Sequence, residues 1–265
     1  MNPVVSINNA DYLNIILNNE QQRNCLSPLM MKQLQEIVEK QIDEKCRFVI
    51  MQAKGKHFCA GADLEWMKKQ KESSLLDNYC DSQQLQNFFE TIYKIPVPVI
   101  AYVQGGSYGG GVGLVAACDY VIAESEASFC LSELKLGLVP AVISPFVINK
   151  IGFSWFTALS MSADIIKAER AQNIGLVHRV AEESLLNASI EERSRFIAKT
   201  FLGISPVAAR ENKKLIRSLT DPLVLSMENQ FRNRATITKL RASREGLEGM
   251  SALLEKRQPN WISKV

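Results

Sequence analysis

Short apolar runs alternate with helical patterns along the first half of the chain. The runs "RFVIMQA", "VIAYV" and "YVIA" are continuous and rich in valine and isoleucine, which is typical of strands buried on both faces. Between them, "PLMMKQLQEIVEKQID" places apolar residues at helical spacing, and Ser27 stands where a helix N-cap is expected. Alternating strands and helices predict an α/β core whose strands pair largely in parallel.

The pattern changes along the chain and divides it into two predicted regions. The N-terminal runs "PVVSI" and "YLNIILN" read as a pair of strands. From about Ser154 the chain becomes mostly helical. Amphipathic helical spacing recurs in three C-terminal segments, residues 206–219, 222–240 and 243–256. We therefore predict a core over residues 1–200 and a helical region over residues 201–265 that packs on the core and on neighbouring subunits.

Composition places the chain among ordinary globular proteins. Its 265 residues can bury a sizeable core, and hydrophobic and charged contents of 46% and 22% are typical of soluble domains. A net charge of +3 is too small to indicate nucleic acid as the main partner. The N-terminus lacks the pattern of a signal peptide, and no apolar run is long enough to span a membrane.

Cysteine and histidine usage argues against a metal site. The six cysteines are scattered singly, and the two histidines, His57 and His178, form no C-x-x-C or C-x-x-H spacing. No metal is therefore expected. Cys59, Cys118 and Cys130 sit among small or apolar residues and are predicted to be buried thiols. This usage fits a reduced compartment, and we predict a cytoplasmic protein.

Two turns could offer backbone N–H groups to a ligand. "HFCAGADL" (residues 57–64) and "GGSYGGGVGLVAACD" (residues 105–119) each follow a buried strand and open a helix. The first N–H groups of a helix have no partner within it, and the helix dipole favours negative charge there. The successive glycines 109–111 would also let the backbone approach a ligand closely. The alternatives are a plain turn capped by Asp63 and glycines that serve only tight helix packing.

A carboxylate follows the second turn. Glu133 is flanked by Leu131 and Leu134 after a strand-like piece, so its carboxylate would lie among apolar neighbours. Such surroundings raise the pKa of a carboxyl group and suit it to acid/base chemistry near neutral pH. The alternative is a solvated loop glutamate paired with Lys135.

The two turns and the carboxylate together indicate one kind of chemistry. Two N–H groups that converge on one oxygen form an oxyanion hole, where each donor contributes about 3–4 kcal/mol to transition-state stabilisation. His57 and His178 lack convincing partners for a Ser–His–Asp arrangement. The combination therefore indicates stabilisation of an enolate with proton transfer.

A nucleotide-binding interpretation fits less well. Residues 111–116, "GVGLVA", match the pattern G-x-G-x-x-A of dinucleotide sites, and Glu133 follows about twenty residues later. The dinucleotide pattern places its first glycine directly after the strand, whereas several residues intervene here. A phosphate-binding P-loop is excluded, because no G-K-[ST] follows the glycines.

Several segments resemble the enoyl-CoA hydratase/isomerase (crotonase) family, in the right order and over essentially the whole chain. They are "FCAGADLEWM", "IPVPVIAYVQGGSYGGGVGLVAACDYVIA", "FCLSELKLGLVPAVISPFV", "AQNIGLVHRV", "ISPVAARENKKLI" and "REGLEGMSALLEKRQPNW". The resemblance implies a spiral of ββα units with a C-terminal helical oligomerisation region, in a homotrimer or homohexamer. It also implies a coenzyme A thioester as substrate, with no permanently bound cofactor.

The resemblance assigns roles to individual residues by motif position. The N–H groups of Ala62 and Gly110 would hold the thioester oxygen, and Glu133 would exchange protons. The expected coenzyme A contacts are Gln22, Ala60 and Leu64 around the adenine and Lys54, Lys56 and Lys256 at phosphates, the last of them on a neighbouring subunit. Each of these lysines could equally be a solvated surface charge. The expected acyl pocket includes Gly113, Trp66 and Pro140.

One position departs from the usual family pattern. Hydratases of the family usually carry a second glutamate two positions after the triple glycine, where this chain has Gly113. The space left by glycine could admit a bulkier or charged acyl group. "LGLVPAVISPF" also departs from the common glycine-rich version. Both departures, with "FCAGADLEWM", resemble a bacterial subgroup related to the methylglutaconyl-CoA hydratases of leucine breakdown.

Three functions remain open from the sequence. The first is hydration of a 2-enoyl-CoA, such as 3-methylglutaconyl-CoA, with Glu133 as acid and base. The second is Δ3,Δ2-enoyl-CoA isomerisation, for which one carboxylate suffices. The third is a non-catalytic or RNA-binding member of the family, because the segments "ARENKKLIR" and "FRNRATITKLRASR" are basic. Charged helix faces are usually just solvated, and the acidic residues nearly balance these.

Overall fold

A computed structural model of the chain describes residues 2–186 and 188–261. Its strands are β1 (Val4–Asn8), β2 (Tyr12–Leu17), β3 (Phe48–Ala53), β4 (Val99–Val103), β5 (Gly106–Tyr108), β6 (Tyr120–Ala123), β7 (Ser128–Cys130), β8 (Ile166–Lys167) and β9 (Arg179–Val180). They form a sheet in the order β1-β2-β3-β4-β6-β9 and a smaller one in the order β5-β7-β8.

Helices cover the sheets and make up most of the C-terminal half of the described chain. They are α1 (Pro28–Gln41), α2 (Leu64–Glu72), α3 (Leu75–Tyr93), α4 (Gly110–Ala117), α5 (Ser144–Ser162), α6 (Ala168–Asn173), α7 (Ile190–Phe201), α8 (Pro206–Val224), α9 (Met227–Arg241) and α10 (Arg244–Leu254). A short 3-10 helix over Glu133–Leu136, which we call the Glu133 turn, precedes α5.

The predicted α/β class is confirmed. Strands β1 and β2 pair antiparallel, and every further pair in the larger sheet is parallel. Helix α1 begins at Pro28, and the Ser27 hydroxyl accepts a hydrogen bond from the Met30 N–H at 3.2 Å, as a helix N-cap does. Parallel strands require crossover connections, which the helices between the strands supply.

Both faces of the larger sheet are buried. All residues of β3 and β4 are buried, and successive side chains point to opposite faces. One face packs on the main core and contributes Val49, Met51, Val99, Ala101 and Val103. The other packs beneath α7 and contributes Phe48, Ile50, Ile100 and Tyr102. The continuous apolar runs in the sequence therefore reflect two-sided burial.

Strand β5 lies within the glycine-rich segment, where the sequence predicts only a loop. It pairs in parallel with β7 in the register Gly106 to Ser128 and Tyr108 to Cys130. Glycine has low strand propensity and the strand is only three residues long, so pairing with β7 decides this conformation more than local preference does. The pairing brings the glycine loop and the segment leading to Glu133 side by side.

The helical C-terminal part folds back on the core. Helix α9 packs on α3, and α10 packs on α2 and on the Glu133 turn. The predicted helical region 201–265 is described as far as Trp261, and residues 1, 187 and 262–265 lie outside the described residues. The division at residue 200 stays a prediction.

Helix α8 is attached to the core by a buried lysine. Lys213 is 7% exposed, and its Nζ donates to the Val97 carbonyl oxygen at 2.7 Å and to the Asp119 carboxylate. Asp119 also accepts a hydrogen bond from the Val99 N–H at 2.7 Å, at the start of β4. A buried charge with two acceptors ties α8 to the beginning of a central strand.

We expect Lys213→Ala to lower the free energy of unfolding by about 2–3 kcal/mol, because it leaves a buried carbonyl and a carboxylate without their charged donor. The matched control is Lys214→Ala. The Lys214 side chain is 79% exposed and lies 4.0 Å from Glu211. The control should change the free energy of unfolding by less than about 0.5 kcal/mol. Urea denaturation measures both, and equal losses would contradict the anchoring role of Lys213.

Candidate active site

The segments that precede α2 and α4 lie against each other. A Cβ atom on Gly61 would come within 2.8 Å of the Tyr108 carbonyl oxygen and 3.9 Å of the Gly110 nitrogen. Ala62 follows Gly61 directly, so the two predicted donor segments are brought together. This proximity is required if two backbone N–H groups are to reach the same ligand atom.

Neither predicted donor N–H is bonded to a protein acceptor within residues 2–186 and 188–261. The contact with Leu26 uses the Gly61 carbonyl and the Asp63 N–H, at 2.7 and 3.2 Å. In this parallel pairing the Ala62 N–H points away from Leu26, and Ala62 is an exposed residue. Gly110 is the first residue of α4, so its N–H precedes the helix's internal bonds. Both groups are available to a ligand.

The three successive glycines serve different purposes. Gly109 adopts φ 50° and ψ −117°, a conformation that side chains strongly disfavour. A Cβ atom on Gly111 would lie 2.3 Å from the Cys59 carbonyl oxygen, so this glycine is needed for close packing. Tight packing and an open N–H are thus both present in one loop, and the two interpretations of the sequence do not exclude each other.

The Glu133 carboxyl group reaches the glycine loop. Its Oε1 lies 3.2 Å from where a Cβ atom on Gly109 would be. Its Oε2 is buried and has no hydrogen-bond partner among the described residues, although the residue as a whole is half-buried. Burial raises the pKa of Glu133 to about 7, as the apolar neighbours in the sequence predict. A carboxyl group with this pKa can accept or donate a proton near neutral pH.

The interpretation of Glu133 as a solvated partner of Lys135 is wrong. The Lys135 Nζ donates instead to the Ala163 carbonyl oxygen at 2.7 Å. This carbonyl belongs to the residue that ends α5 in a left-handed conformation. The lysine therefore satisfies a helix end, and Glu133 forms no ion pair within residues 2–186 and 188–261.

Ser132 is a polar neighbour that the sequence pattern did not single out. Its Oγ lies 3.5 Å from the same Cβ position on Gly109 that Glu133 Oε1 approaches. The hydroxyl and the carboxyl therefore face the same side of the glycine loop. The adjacency of serine and glutamate in "LSEL" was the available signal, but neighbours in a turn need not point the same way.

The space next to Gly113 is filled. A Cβ atom at this position would lie 2.3 Å from Ile143 Cγ2 and 3.1 Å from Phe89 Cε1. The expectation that glycine leaves room there for a larger acyl group is wrong, because Ile143 occupies that room. Phe89 also lies 3.7 Å from a Cβ position on Gly110, so a buried apolar wall borders the free N–H.

Two loops that carry predicted coenzyme A contacts are joined by Asn24. This residue is fully buried at φ 52°, and its Nδ2 donates to the carbonyl oxygens of Lys54 and His57 at 2.8 Å each. The Ala60 N–H donates to the Arg23 carbonyl oxygen at 3.0 Å. No local pattern in the sequence points to Asn24, because its role depends on partners about thirty residues away.

The predicted coenzyme A residues are mostly at the surface. Gln22, Lys54 and Lys56 are exposed, Leu64 is 47% exposed at the start of α2, and Ala60 is half-buried. Gln22 and Ala60 belong to the joined loops. Lys256 is exposed just beyond α10. Their roles in binding stay predictions.

The two other predicted pocket residues are buried. The Trp66 indole N–H donates to Asp81 Oδ2 at 3.0 Å, linking α2 to α3. The Pro140 carbonyl oxygen accepts a hydrogen bond from the Ser144 N–H at 2.9 Å, at the start of α5. Asp63 caps α2 by accepting from the Trp66 N–H at 2.8 Å, so this turn is also a capped helix start. Contact of Trp66 or Pro140 with an acyl chain stays a prediction.

Both histidines have structural hydrogen bonds. The Nδ1 atoms of His57 and His178 accept from the N–H groups of Gly106 and Val121, at 3.2 and 2.9 Å. Within the described parts of the chain, no three His, Cys, Asp or Glu side chains are grouped as a metal site would require. Likewise, none of the described helices is long and apolar enough to cross a membrane.

A separate groove of about 400 Å³ lies between β1 and α1. Val4, Ser6, Gln33, Ile37 and Lys40 are among its lining residues. None of the candidate site residues lines it. We place the candidate site at the glycine loop, because the free donors and the buried carboxyl meet there.

Comparison with known proteins assigns the chain to one family. The family model described as enoyl-CoA hydratase/isomerase matches residues 8–264. A relative from Thermus thermophilus, provisionally named an enoyl-CoA hydratase, is 31% identical over 93% of this chain and 96% of its own length. The mitochondrial methylglutaconyl-CoA hydratase of Mus musculus is 30% identical over 90% of this chain and 76% of its own length.

Solved structures give the same result for the fold. An enoyl-CoA hydratase from Shewanella pealeana superimposes with a TM-score of 0.75 at 32% identity, covering 98% of this chain and 96% of that one. An enoyl-CoA hydratase from Mycobacterium avium gives a TM-score of 0.81 at 28% identity, covering 98% and 99%. The expected fold class is thereby confirmed, and the chain belongs to the enoyl-CoA hydratase/isomerase (crotonase) family.

Proposed function

We propose that the protein hydrates a 2-enoyl-CoA thioester and that Glu133 is its acid and base. The observation that carries this proposal is the buried Glu133 carboxyl, with a pKa raised to about 7, facing the loop that exposes the Gly110 N–H. Family membership supplies the substrate class, a coenzyme A thioester. No permanently bound cofactor is part of the proposal.

The proposed chemistry begins at the thioester oxygen. The N–H groups of Ala62 and Gly110 donate to this oxygen, and they bind it more strongly as it gains negative charge in the enolate. The N-terminal end of α4 adds the favourable field of its dipole. The apolar wall of Phe89 and Ile143 excludes water from one side, which strengthens these electrostatic interactions.

Proton transfer in the proposal requires one carboxylate. Ionised Glu133 takes a proton from water as the water oxygen bonds to C3 of the enoyl group. The protonated carboxyl then returns a proton to C2, so that one water molecule has been added across the double bond. The Ser132 hydroxyl, on the same side of Gly109, holds the water in the absence of a second carboxylate. A pKa near 7 suits both transfers.

We further propose a branched, carboxylated acyl group of the 3-methylglutaconyl type, which would belong to leucine breakdown. Support comes from the name of the mouse relative and from the segment "FCAGADLEWM". The filled space at Gly113 gives this choice no support, because Ile143 closes it. The acyl group must therefore extend along another part of the site.

A Δ3,Δ2-enoyl-CoA isomerase is the second candidate. Isomerisation takes a proton from C2 and returns it to C4, and a single carboxylate can do both. The observation that favours it is the combination of Gly113 and Ile143, which leaves neither a second carboxylate nor room for one. Both reactions use the same enolate and the same oxyanion hole.

We also propose a cytoplasmic homotrimer or homohexamer in which residues 201–265 contribute to subunit contacts. Exposed apolar side chains on α8 support such contacts; Val207, Leu215 and Leu219 are 70%, 60% and 74% exposed in the single chain. Lys256 would then be available to a neighbour's coenzyme A, as the resemblance implies.

We expect Glu133→Gln to lower kcat/KM by about 10³-fold, because the amide can neither accept nor return the proton. The assay uses crotonyl-CoA, 3-methylglutaconyl-CoA and a 3-enoyl-CoA with the wild type and the variant. Turnover only of the 3-enoyl-CoA would end the hydratase proposal, and intact turnover in the variant would remove Glu133 from the mechanism. Glu126→Gln, at an 86% exposed side chain, is the matched control.

The Glu133 carboxyl should also make stability depend on pH. Its folded pKa of about 7 lies above the ordinary value of 4.5. The protonated carboxyl therefore contributes its full stabilisation below pH 4.5, and this contribution is lost as the pH rises through about 7. Glu133→Gln should therefore stabilise the protein relative to wild type by about 2–3 kcal/mol more at pH 8 than at pH 5. Urea unfolding at both pH values tests this. The same difference at both values would mean that the carboxyl titrates normally.

Ser132→Ala separates the two candidate reactions. If the hydroxyl holds the attacking water, its loss should lower kcat for hydration about tenfold, the worth of one hydrogen bond. Isomerisation of a 3-enoyl-CoA uses no water and should change by less than about twofold in the same variant. Ser132→Thr keeps a hydroxyl and is the control. Equal losses in both reactions would show that Ser132 does not act through water.

A further inference from the structure

Among the described residues, no neighbouring element holds the Glu133 side chain by a hydrogen bond. Its Oε2 is buried without a partner among the described residues, and the backbone hydrogen bond that lowers its pKa comes from Glu133 itself, so no bond to a neighbouring element fixes the carboxyl. The position of the carboxyl therefore depends on the backbone of the Glu133 turn. Within the turn, the bonds are local: the Leu138 N–H donates to the Glu133 carbonyl at 3.0 Å, and the Gly137 N–H donates to that of Leu134 at 3.1 Å.

Helix α10 lies directly on this turn, with backbone against backbone. A Cβ atom on Gly249 of α10 would come within 2.2 Å of the Leu136 carbonyl oxygen. In return, Gly137 ends the turn at φ 67°, and a Cβ atom on it would come within 2.6 Å of the Glu245 carbonyl oxygen in α10. Each element thus presents a glycine to the backbone of the other, and a side chain at either position would force the two apart.

The same helix also contacts the other half of the candidate site. Helix α10 packs on α2, which follows the donor Ala62 by two residues. Helix α10 therefore contacts both the Glu133 turn, which carries the carboxyl, and α2, which follows the Ala62 donor. A helix near the C-terminus is therefore placed to set the distance between the carboxyl and one oxyanion donor.

We propose that Gly249 and Gly137 are positioning residues through which α10 holds the Glu133 carboxyl against the glycine loop. This proposal rests on the proposed role of Glu133. It assigns α10 a part in catalysis, beyond any contribution to oligomer contacts. The alternative is that the glycines serve packing and stability alone.

Gly249→Ala tests the proposal, since its methyl carbon would lie 2.2 Å from the Leu136 carbonyl oxygen. Close C···O contacts are about 3.3 Å, so the turn would be pushed away by roughly 1 Å. A displacement of this size can cost about 100-fold in rate. We expect kcat to fall about 100-fold while KM changes less than about threefold, because the thioester-binding groups remain. We also expect the pH profile to shift to lower pH by about one unit or more, because the displaced carboxyl gains water.

Gly246→Ala is the matched control on the same helix. Its Cβ atom would first meet the Leu240 carbonyl oxygen, at 2.0 Å in the last turn of α9, whereas the Cβ atom on Gly249 would meet Leu136 of the Glu133 turn. Both variants should be less stable than the wild type. Only Gly249→Ala should have a lower kcat when activity is expressed per folded molecule. Equal loss of kcat per folded molecule in the two variants would overturn the proposal, as would an unchanged pH profile in Gly249→Ala.

Two further measurements keep the test decisive. If Gly249→Ala does not fold, Gly137→Ala introduces the same separation from the side of the turn and should give the same kinetic pattern. If the wild type turns over none of the thioesters, the proposed function fails, but the positioning is still measurable. Glu133→Gln is made in the wild type and in Gly249→Ala, and its effect on the free energy of unfolding is measured at pH 5 and pH 8. The change in that effect between the two pH values should be less than half as large in Gly249→Ala as in the wild type. An undiminished difference would refute the positioning.

Discussion

The arrangement of the site depends on one buried carboxyl group that the protein does not neutralise. Desolvating a carboxylate is costly, and proteins usually offset that cost with a cation or several donors. At Glu133 the nearby lysine is committed to a helix end, and Oε2 has no partner among the described residues. The group therefore stays poised between its two protonation states, and the surrounding fold must supply its position by packing.

That requirement explains why the site is built from turns held by a parallel sheet. The β5–β7 pairing sets the glycine loop beside the segment that leads to Glu133, and the contact of Gly61 with the glycine loop adds the turn before α2. Two free N–H groups and one carboxyl then meet without any side chain reaching across. The proposed hydration and the alternative isomerisation of an enoyl thioester would both use this arrangement, so what else contacts the substrate and the water would decide between them.

Features that depend on neighbours in sequence were predictable, and features that depend on distant contacts were not. The buried strands, the Ser27 cap, the two helix-opening turns and the apolar surroundings of Glu133 all follow from local pattern. Strand β5 was missed because it is only three residues long, begins with glycine and forms by pairing with the distant β7. Asn24 and the Gly249 contact were missed for a similar reason, because each depends on a backbone carbonyl far along the chain. The expectation of open space beside Gly113 was the clearest error, because that space is filled by Ile143, thirty residues later.

The contact between Gly113 and Ile143 constrains the order in which this site can change during evolution. An acidic side chain at 113 is blocked for as long as Ile143 stands against it, because the overlap begins at the first carbon of the side chain. A smaller residue at 143 leaves a cavity, which costs stability without blocking the fold. A lineage passing from one carboxylate to two would therefore have to change position 143 first. Selection on a second acidic group could act only after that destabilising step.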